Sequence, residues 1–232
     1  MVKSRFSSFD VRAMTLALRA SIVGFRVANC YDINPRTYLL KLAKPDAKVV
    51  LLVESGIRLH TTAYARDKGS IPSGFTLKLR KHLKGKRIEL VEQLGSDRVV
   101  VLTFGTGDYE NKLIIELYDK GNVILTDGSC TILTLLRNSK FDAESRMTVG
   151  DTYPLESRRE VELLSPEALG DAMRSADGGL TAMKLMMRLL PLGKEMGEHA
   201  LVSARLPLSA KMSSQPWRDE EMLGRLASVS AA

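Results

Sequence analysis

The 232 residues predict an α+β fold: a front domain of antiparallel strands and two helices over 1–155, then a small all-helical module over 156–232. Three observations carry this prediction. The front part is cut into short apolar runs bounded by Gly, Pro, Asn or Asp, the pattern of strands joined by hairpins. Two stretches within it space their apolar residues at helical intervals instead. Beyond Tyr153-Pro154 the composition turns to helix formers and methionine.

Taken in order, Ser7 and Ser8 offer caps for a first helix through Asp10, with Val11, Met14, Leu16 and Leu18 as its apolar face and Gly24 ending or kinking it. FRVANCYDI and TYLLKLA then read as strands on either side of an Asn34-Pro35-Arg36 turn. Residues 48–54 (KVVLLVE) form a nearly continuous apolar strand, Ser55-Gly56 a turn, and residues 57–64 another strand. Phe75, Leu79 and Leu83 recur at i, i+4 and i+8, so the run after Pro72-Ser73-Gly74 is an amphipathic helix. Four more short strands follow, at 88–93, 99–104, 112–117 and 122–126. In the tail, Ser165-Pro166-Glu167 is a helix start and Gly178-Gly179 a stop. Residues 180–190 and 194–206 form two helices around Pro191-Leu192-Gly193, in the manner of a helix-hairpin-helix, and 217–229 form one more. The last residues carry no cap or stop, so the chain reads as a piece of a longer protein.

The charge is unevenly placed. The first 150 residues hold 24 Lys and Arg against 15 Asp and Glu, and the remainder holds 10 against 12, so the net +7 comes from the front. An anionic partner is expected to meet the front domain first. Cys30 and Cys130 are too few for a disulfide framework and read as reduced thiols, which predicts a cytoplasmic protein. Neither they nor His60, His82 and His199 have ligand spacing, so no metal and no cofactor is predicted. No apolar leader or bilayer-length segment is present, so no membrane partner is expected. GxSxG and Walker A loops are absent, and Gly105-Thr106-Gly107 lies between strands as a hairpin turn.

The densest chemical signal is the run PSGFTLKLRKHLKGKR. Lys78, Arg80, Lys81, His82, Lys84, Lys86 and Arg87 stand there with no acid among them. A solvated helix face ordinarily mixes signs, because like charges at i, i+3 and i+4 destabilise a helix; a single-sign face fits phosphate binding. Ten residues on comes Asp97-Arg98, which alone is an ordinary turn Asp with a neighbouring Arg, just as Asp10 alone is a helix cap or first-turn acid. Arg58 and His60 share one strand face and Arg66 follows in a loop, a pattern of exposed charges. Two readings stand for the helical tail: a turn that offers backbone amides and Lys194 to a phosphate, or a Met-rich packing or protein-facing surface.

Together KSRFSSFDVRA, YDINPRTYLLKLAKPD, VVLLVESGIRLHTT, PSGFTLKLRKHLKGKRI, GSDRVVVLTF, GNVILTD and VGDTYPL resemble the N-terminal part of the NFACT family. The resemblance implies a front domain like that of formamidopyrimidine-type DNA glycosylases, followed by a helix-hairpin-helix. It implies a role in ribosome-associated quality control. There the family binds large ribosomal subunits that hold peptidyl-tRNA and recruits aminoacyl-tRNA for template-independent C-terminal (CAT) tailing. It places the family's tRNA-binding acid on Asp10 and its Asp-Arg pair on Asp97 and Arg98. The basic helix (Lys78, Arg80, Lys81, Lys84, Lys86, Arg87) and Lys194 are then phosphate contacts. A ubiquitin ligase would be met only through a coiled coil beyond this chain. On this reading the protein positions RNA and is not an enzyme. The glycosylase N-terminal Pro-Glu is not matched by Met1-Val2-Lys3-Ser4. The alternatives are a nucleic-acid-processing enzyme of the glycosylase-like fold and a protein-interaction module, since fibronectin binding has been proposed for bacterial relatives; the missing secretion signal weighs against the latter.

Overall fold

The computed structural model describes residues 5–140 except 65, 68 and 70, together with 146–156, 164–189, 193–213, 224 and 226. The chain divides into two units, residues 1–159 and 160–232. The first unit begins with helix α1 (Ser8–Ile22). Ser7 caps it reciprocally: the Asp10 amide donates to Ser7 Oγ, and the Ser7 amide donates to Asp10 Oδ2 at 2.7 Å. The helix ends at Ile22, just before Gly24 as anticipated. Its buried face is Val11, Thr15, Leu18 and Ile22; Leu16, expected inside, is 53% exposed. At 100° per residue Leu16 falls well off the Val11–Leu18–Ile22 line.

Strands β1 (Arg26–Asn34), β2 (Thr37–Lys44), β3 (Ala47–Glu54) and β4 (Arg58–Thr62) form an antiparallel meander in that spatial order. The β1–β2 turn is fixed by Asn34, whose Oδ1 accepts from the amides of Arg36 and Thr37 at 2.8 and 2.9 Å. Helix α2 (Gly74–Leu83) follows, capped by Ser73 and burying Thr76, Leu79 and Leu83. A second meander comprises β5 (Ile88–Gln93), β6 (Val99–Phe104), β7 (Asn111–Glu116), β8 (Asn122–Asp127) and β9 (Ile132–Leu135), again in chain order. The Gly105-Thr106-Gly107 segment does connect two strands, through a short 3-10 turn at Gly107–Tyr109. Three strands were not foreseen: β9 and the two-residue pair β10 (Ser139–Lys140) and β11 (Arg146–Met147).

The two meanders share one core. Leu40, Leu42, Leu51, Val53 and Leu59 meet Val100, Leu102, Phe104, Leu113, Ile115, Val123 and Leu125, with Leu18 and Ile22 of α1 and Leu79 and Leu83 of α2 packed in. The intervening residues of the second sheet, Val99, Val101, Ile114 and Ile124, point the other way, into a further core made with Ile132, Met147, Tyr153 and Leu155. Both faces of β6 are therefore buried, which is why VVVLTF shows no polar alternation. At one end the sheets are joined by backbone bonds, Ile88 amide to Phe25 oxygen at 2.8 Å and Val27 amide to Lys86 oxygen at 2.9 Å. At the other end two turns touch: a Cβ on Gly121 would lie 1.9 Å from the Gly56 nitrogen.

In the second unit, α3 (Pro166–Ser175) starts at Ser165, whose Oγ accepts from the Ala168 amide. Helices α4 (Ala182–Leu189) and α5 (Gly193–Ser203) pack closely, with Gly197 against Met183 and Met186. Leu169, Met173, Leu185, Met186, Leu201, Leu206 and Met212 form this unit's own core. Pro191-Leu192 of the expected α4–α5 turn and nearly all of the helix anticipated at 217–229 lie outside the described residues. No helix of the described residues is long and apolar enough to cross a membrane.

Candidate nucleic-acid interface

Asp10 and Asp97 are far apart in sequence, and a glutamine brings their neighbourhoods together. Gln93 ends β5, beside which α1 packs. Its Nε2 donates to the Ser8 carbonyl in the first turn of α1 (3.3 Å) and to the Asp97 carbonyl in the β5–β6 turn (2.8 Å). The same turn is closed by Asp97 amide to Leu94 oxygen at 3.1 Å and Leu94 amide to Val99 oxygen at 2.9 Å. Asp97 Oδ1 accepts from the Arg98 amide at 2.6 Å, and the Arg98 carbonyl accepts from the Leu117 amide at 2.8 Å. Asp97 is exposed and Arg98 and Asp10 half-buried. The three candidate residues thus sit on two segments pinned by one carboxamide. Two carboxylates and a guanidinium held this way suit reading of unpaired base edges: carboxylates accept from amino groups, and Arg donates in a fork. Asp10 Oδ2 also closes the helix cap, so its structural role and its candidate role coincide in one side chain.

The basic run divides into two groups. Lys78, Lys81 and Lys84 are exposed on or just after α2. Arg80, half-buried, donates from Nε to the Cys30 carbonyl at 2.8 Å and lies over the Tyr31 ring. Lys86 is bound inward, donating to the Tyr109 carbonyl and, at 2.6 Å, to Asn111 Oδ1; its burial lowers its pKa. Arg87 makes a two-bond pair with Glu89 at 2.8 Å, and those bonds hold the Glu89 carboxyl below its ordinary range. Lys86 and Arg87, like Arg80, thus already have intramolecular partners. His82 has its pKa lowered by burial and then by Lys81, Lys78 and Lys86. The end of the basic run precedes β5 and the Asp97 turn follows it, a strand of roughly 20 Å at about 3.3 Å per residue. Gln93 is the residue the sequence reasoning missed; its one signal was an amide side chain closing the strand before Asp97.

Lys194 opens α5 in the second unit, exposed, with Glu198 3.5 Å away one turn on. Arg58 pairs with Glu54 at 2.9 Å and His60 Nδ1 lies 2.9 Å from the Thr61 carbonyl, which accounts for both as surface groups. No cluster of three or more metal-ligating side chains exists among the described residues. Cys30 is buried beneath Arg80, and burial pushes its thiol up to about 12 against the weaker opposing effect of Arg80.

The family model for NFACT N-terminal and middle domains matches residues 7–220. The chain is 42% identical over 216 residues to the mouse ribosome quality control complex subunit NEMF, covering 92% of this chain and 20% of the relative. It is 45% identical to the human NEMF subunit, with 87% and 19% covered. It is also 45% identical to ribosome quality control complex subunit 2 of Schizosaccharomyces pombe, with 69% and 16% covered. The chain therefore spans about a fifth of the length of the curated relatives it matches. Among solved structures, the N-terminal domain of fibronectin-binding protein PavA from Streptococcus pneumoniae superposes with a TM-score of 0.66 at 24% identity, covering 86% of this chain and 85% of that one. The N-terminal part of a Streptococcus suis fibronectin/fibrinogen-binding protein gives 0.69 at 20%, covering 98% and 85%. At these identities the likeness concerns the fold.

Proposed function

Because the chain belongs to the NFACT family, we propose that it is the RNA-reading front part of a ribosome quality control factor. In this reading it binds large ribosomal subunits that retain peptidyl-tRNA and holds an incoming aminoacyl-tRNA for untemplated C-terminal extension of the nascent chain. The observation that carries the reading is the Gln93 carboxamide, which fixes the start of α1 and the Asp97-Arg98 turn to one another.

Asp10, Asp97 and Arg98 then contact splayed bases, while Lys78, Lys81, Lys84 and Arg80 meet phosphates beyond the far end of β5, a strand roughly 20 Å long. A strand of nucleic acid places a phosphate about every 3.4 Å of axial rise in a duplex. The length of β5 corresponds to about six nucleotides, within the span of one folded tRNA arm. The domain supplies geometry and electrostatics, and the peptide bonds form on the ribosome without a general acid or base from this chain. In the second unit, α4 and α5 take the place of a helix-hairpin-helix, with Lys194 as its phosphate contact.

The test is a salt titration of binding between this chain and total tRNA, beside the Asp97→Ala/Arg98→Ala variant, with sequencing of the retained tRNA. The expected outcome is enrichment of a small isoacceptor set that collapses in the variant. Unselective retention that is the same in both proteins would reduce the domain to a basic surface.

A further inference from the structure

Helix α1 carries a second apolar line that its own domain does not use. Phe9, Ala13, Leu16, Ala20 and the C-cap residue Val23 are all exposed, Phe9, Leu16 and Val23 at 38%, 53% and 40%. Their spacing is four, three, four, three, the a/d repeat of a coiled-coil seam, with alanine at each a position and a large apolar residue at each d. The seam runs opposite the line of Val11, Thr15, Leu18 and Ile22 that faces the core. Scattered exposed apolar residues are ordinary on a protein surface, but a contiguous patch of them marks an interaction site. A seam with this period is matched by another α-helix, since d-position knobs need holes at the same interval. Alanines at a allow that helix to approach toward the short end of the usual 8–10 Å interaxial range.

The flank specifies the occupant's charge. Arg12 and Arg19 are seven apart, both exposed, and both at the g position of this register. Arg19 also donates from Nε to the Val91 carbonyl of β5 at 3.0 Å, which ties its stem to the domain. The corresponding e positions are Asp10 and Ala17, so the cationic flank is on one side. A second copy packed antiparallel would set these arginines against each other, because g faces g in that arrangement. We propose that the outer face of α1 is a docking site for an acidic amphipathic helix of a protein partner, seated on Phe9, Leu16 and Val23 and paired with Arg12 and Arg19. The surface adjoins Asp10, yet the proposal rests on none of the RNA contacts and is tested without RNA.

Two fluorescent helical peptides of about three heptads, sharing one Leu/Ala seam and flanked by either glutamates or lysines, are titrated with the 232-residue chain. The glutamate peptide is expected to bind at least about tenfold more tightly than the lysine peptide. Leu16→Glu should abolish binding, and Arg12→Glu should erase the preference between peptides. Both positions are exposed, so unchanged melting curves verify that the variants are folded. Failure of both peptides to bind, equal affinity for the two, or binding indifferent to Leu16→Glu overturns the proposal. So does sedimentation showing a dimer of the chain alone that Leu16→Glu separates, which assigns the seam to a second copy.

Discussion

At the junction of α1 and the β5–β6 turn, Gln93 donates twice, while its own Oε1 is buried without a hydrogen-bond partner among the described residues. An unpartnered buried oxygen costs about 1–3 kcal/mol, and each neutral hydrogen bond contributes about 1. Gln93→Leu removes both bonds and the stranded acceptor together. It should therefore shift stability by no more than about 1–2 kcal/mol, while tRNA selectivity falls as in the Asp97→Ala/Arg98→Ala variant; a thermal melt beside a tRNA retention assay checks the two halves. Asp10, Asp97 and Arg98 were named as candidates only through the family resemblance, since each alone reads as an ordinary cap or turn residue. Gln93 was not named, since its role exists only once a strand lies against a helix 85 residues earlier. Cys30 makes a second prediction. Its thiol ionises near 9.0 when unfolded and near 12 in the fold, so the unfolded chain loses the proton first. Its stabilising contribution is complete below about pH 9 and declines as pH rises toward 12, by up to about 4 kcal/mol. Denaturant melts across that window should show the decline, lessened in Cys30→Ala.

Helix α2 was read correctly as an element, because Phe75, Leu79 and Leu83 announce its buried side without tertiary information. What the pattern concealed was the fate of individual cations, since a lysine bound to Asn111 and one reaching solvent look alike in a sequence. If Lys78, Lys81 and Lys84 meet phosphates, replacing all three by alanine should lower the slope of log affinity against log salt by about 2–3, at roughly 0.7–0.9 per contact. His82 offers an internal reporter. Burial and then the neighbouring lysines hold its pKa below the ordinary histidine value, which favours the neutral form, and a bound phosphate would favour its protonated form. Histidine resonances followed by NMR should show an upward pKa change when tRNA is added, with affinity rising as pH falls. An unmoved His82 would remove α2 from the interface. Among the strands, β5 and β6 were recognised to the residue, while β9 escaped because ILTL is short, half-exposed and at a sheet edge.

For the molecule as a whole, the sheets meet through the Gly56–Gly121 approach, where the Gly56 amide donates to the Glu116 carbonyl at 3.2 Å and Arg137 holds the Gly121 turn by donating to the Lys120 and Gly121 carbonyls at 2.6 and 2.9 Å. Gly121 has φ +69° and no room for a methyl group, so Gly121→Ala should destabilise the first unit by more than about 4 kcal/mol. A lowered denaturation midpoint would verify it, with unchanged stability disproving the close approach. In the sequence Gly121 looked like any turn glycine, since only the return of a second meander onto the first gives it a neighbour. The α+β class, the change to helices after Tyr153-Pro154 and the order of the hairpins were all visible in advance. The double-sided core was not, because a strand buried on both faces has no alternation to read. That core has a consequence for motion. Strands β6, β7 and β8 have apolar cover above and below, so their amides should exchange with solvent only through global opening and be the last to take up deuterium. The Asp97-Arg98 turn leads directly into β6. Its backbone therefore stands on the part of the chain that breathes least, so under the proposed function any adjustment to a bound RNA falls to side-chain rotamers rather than to movement of the frame.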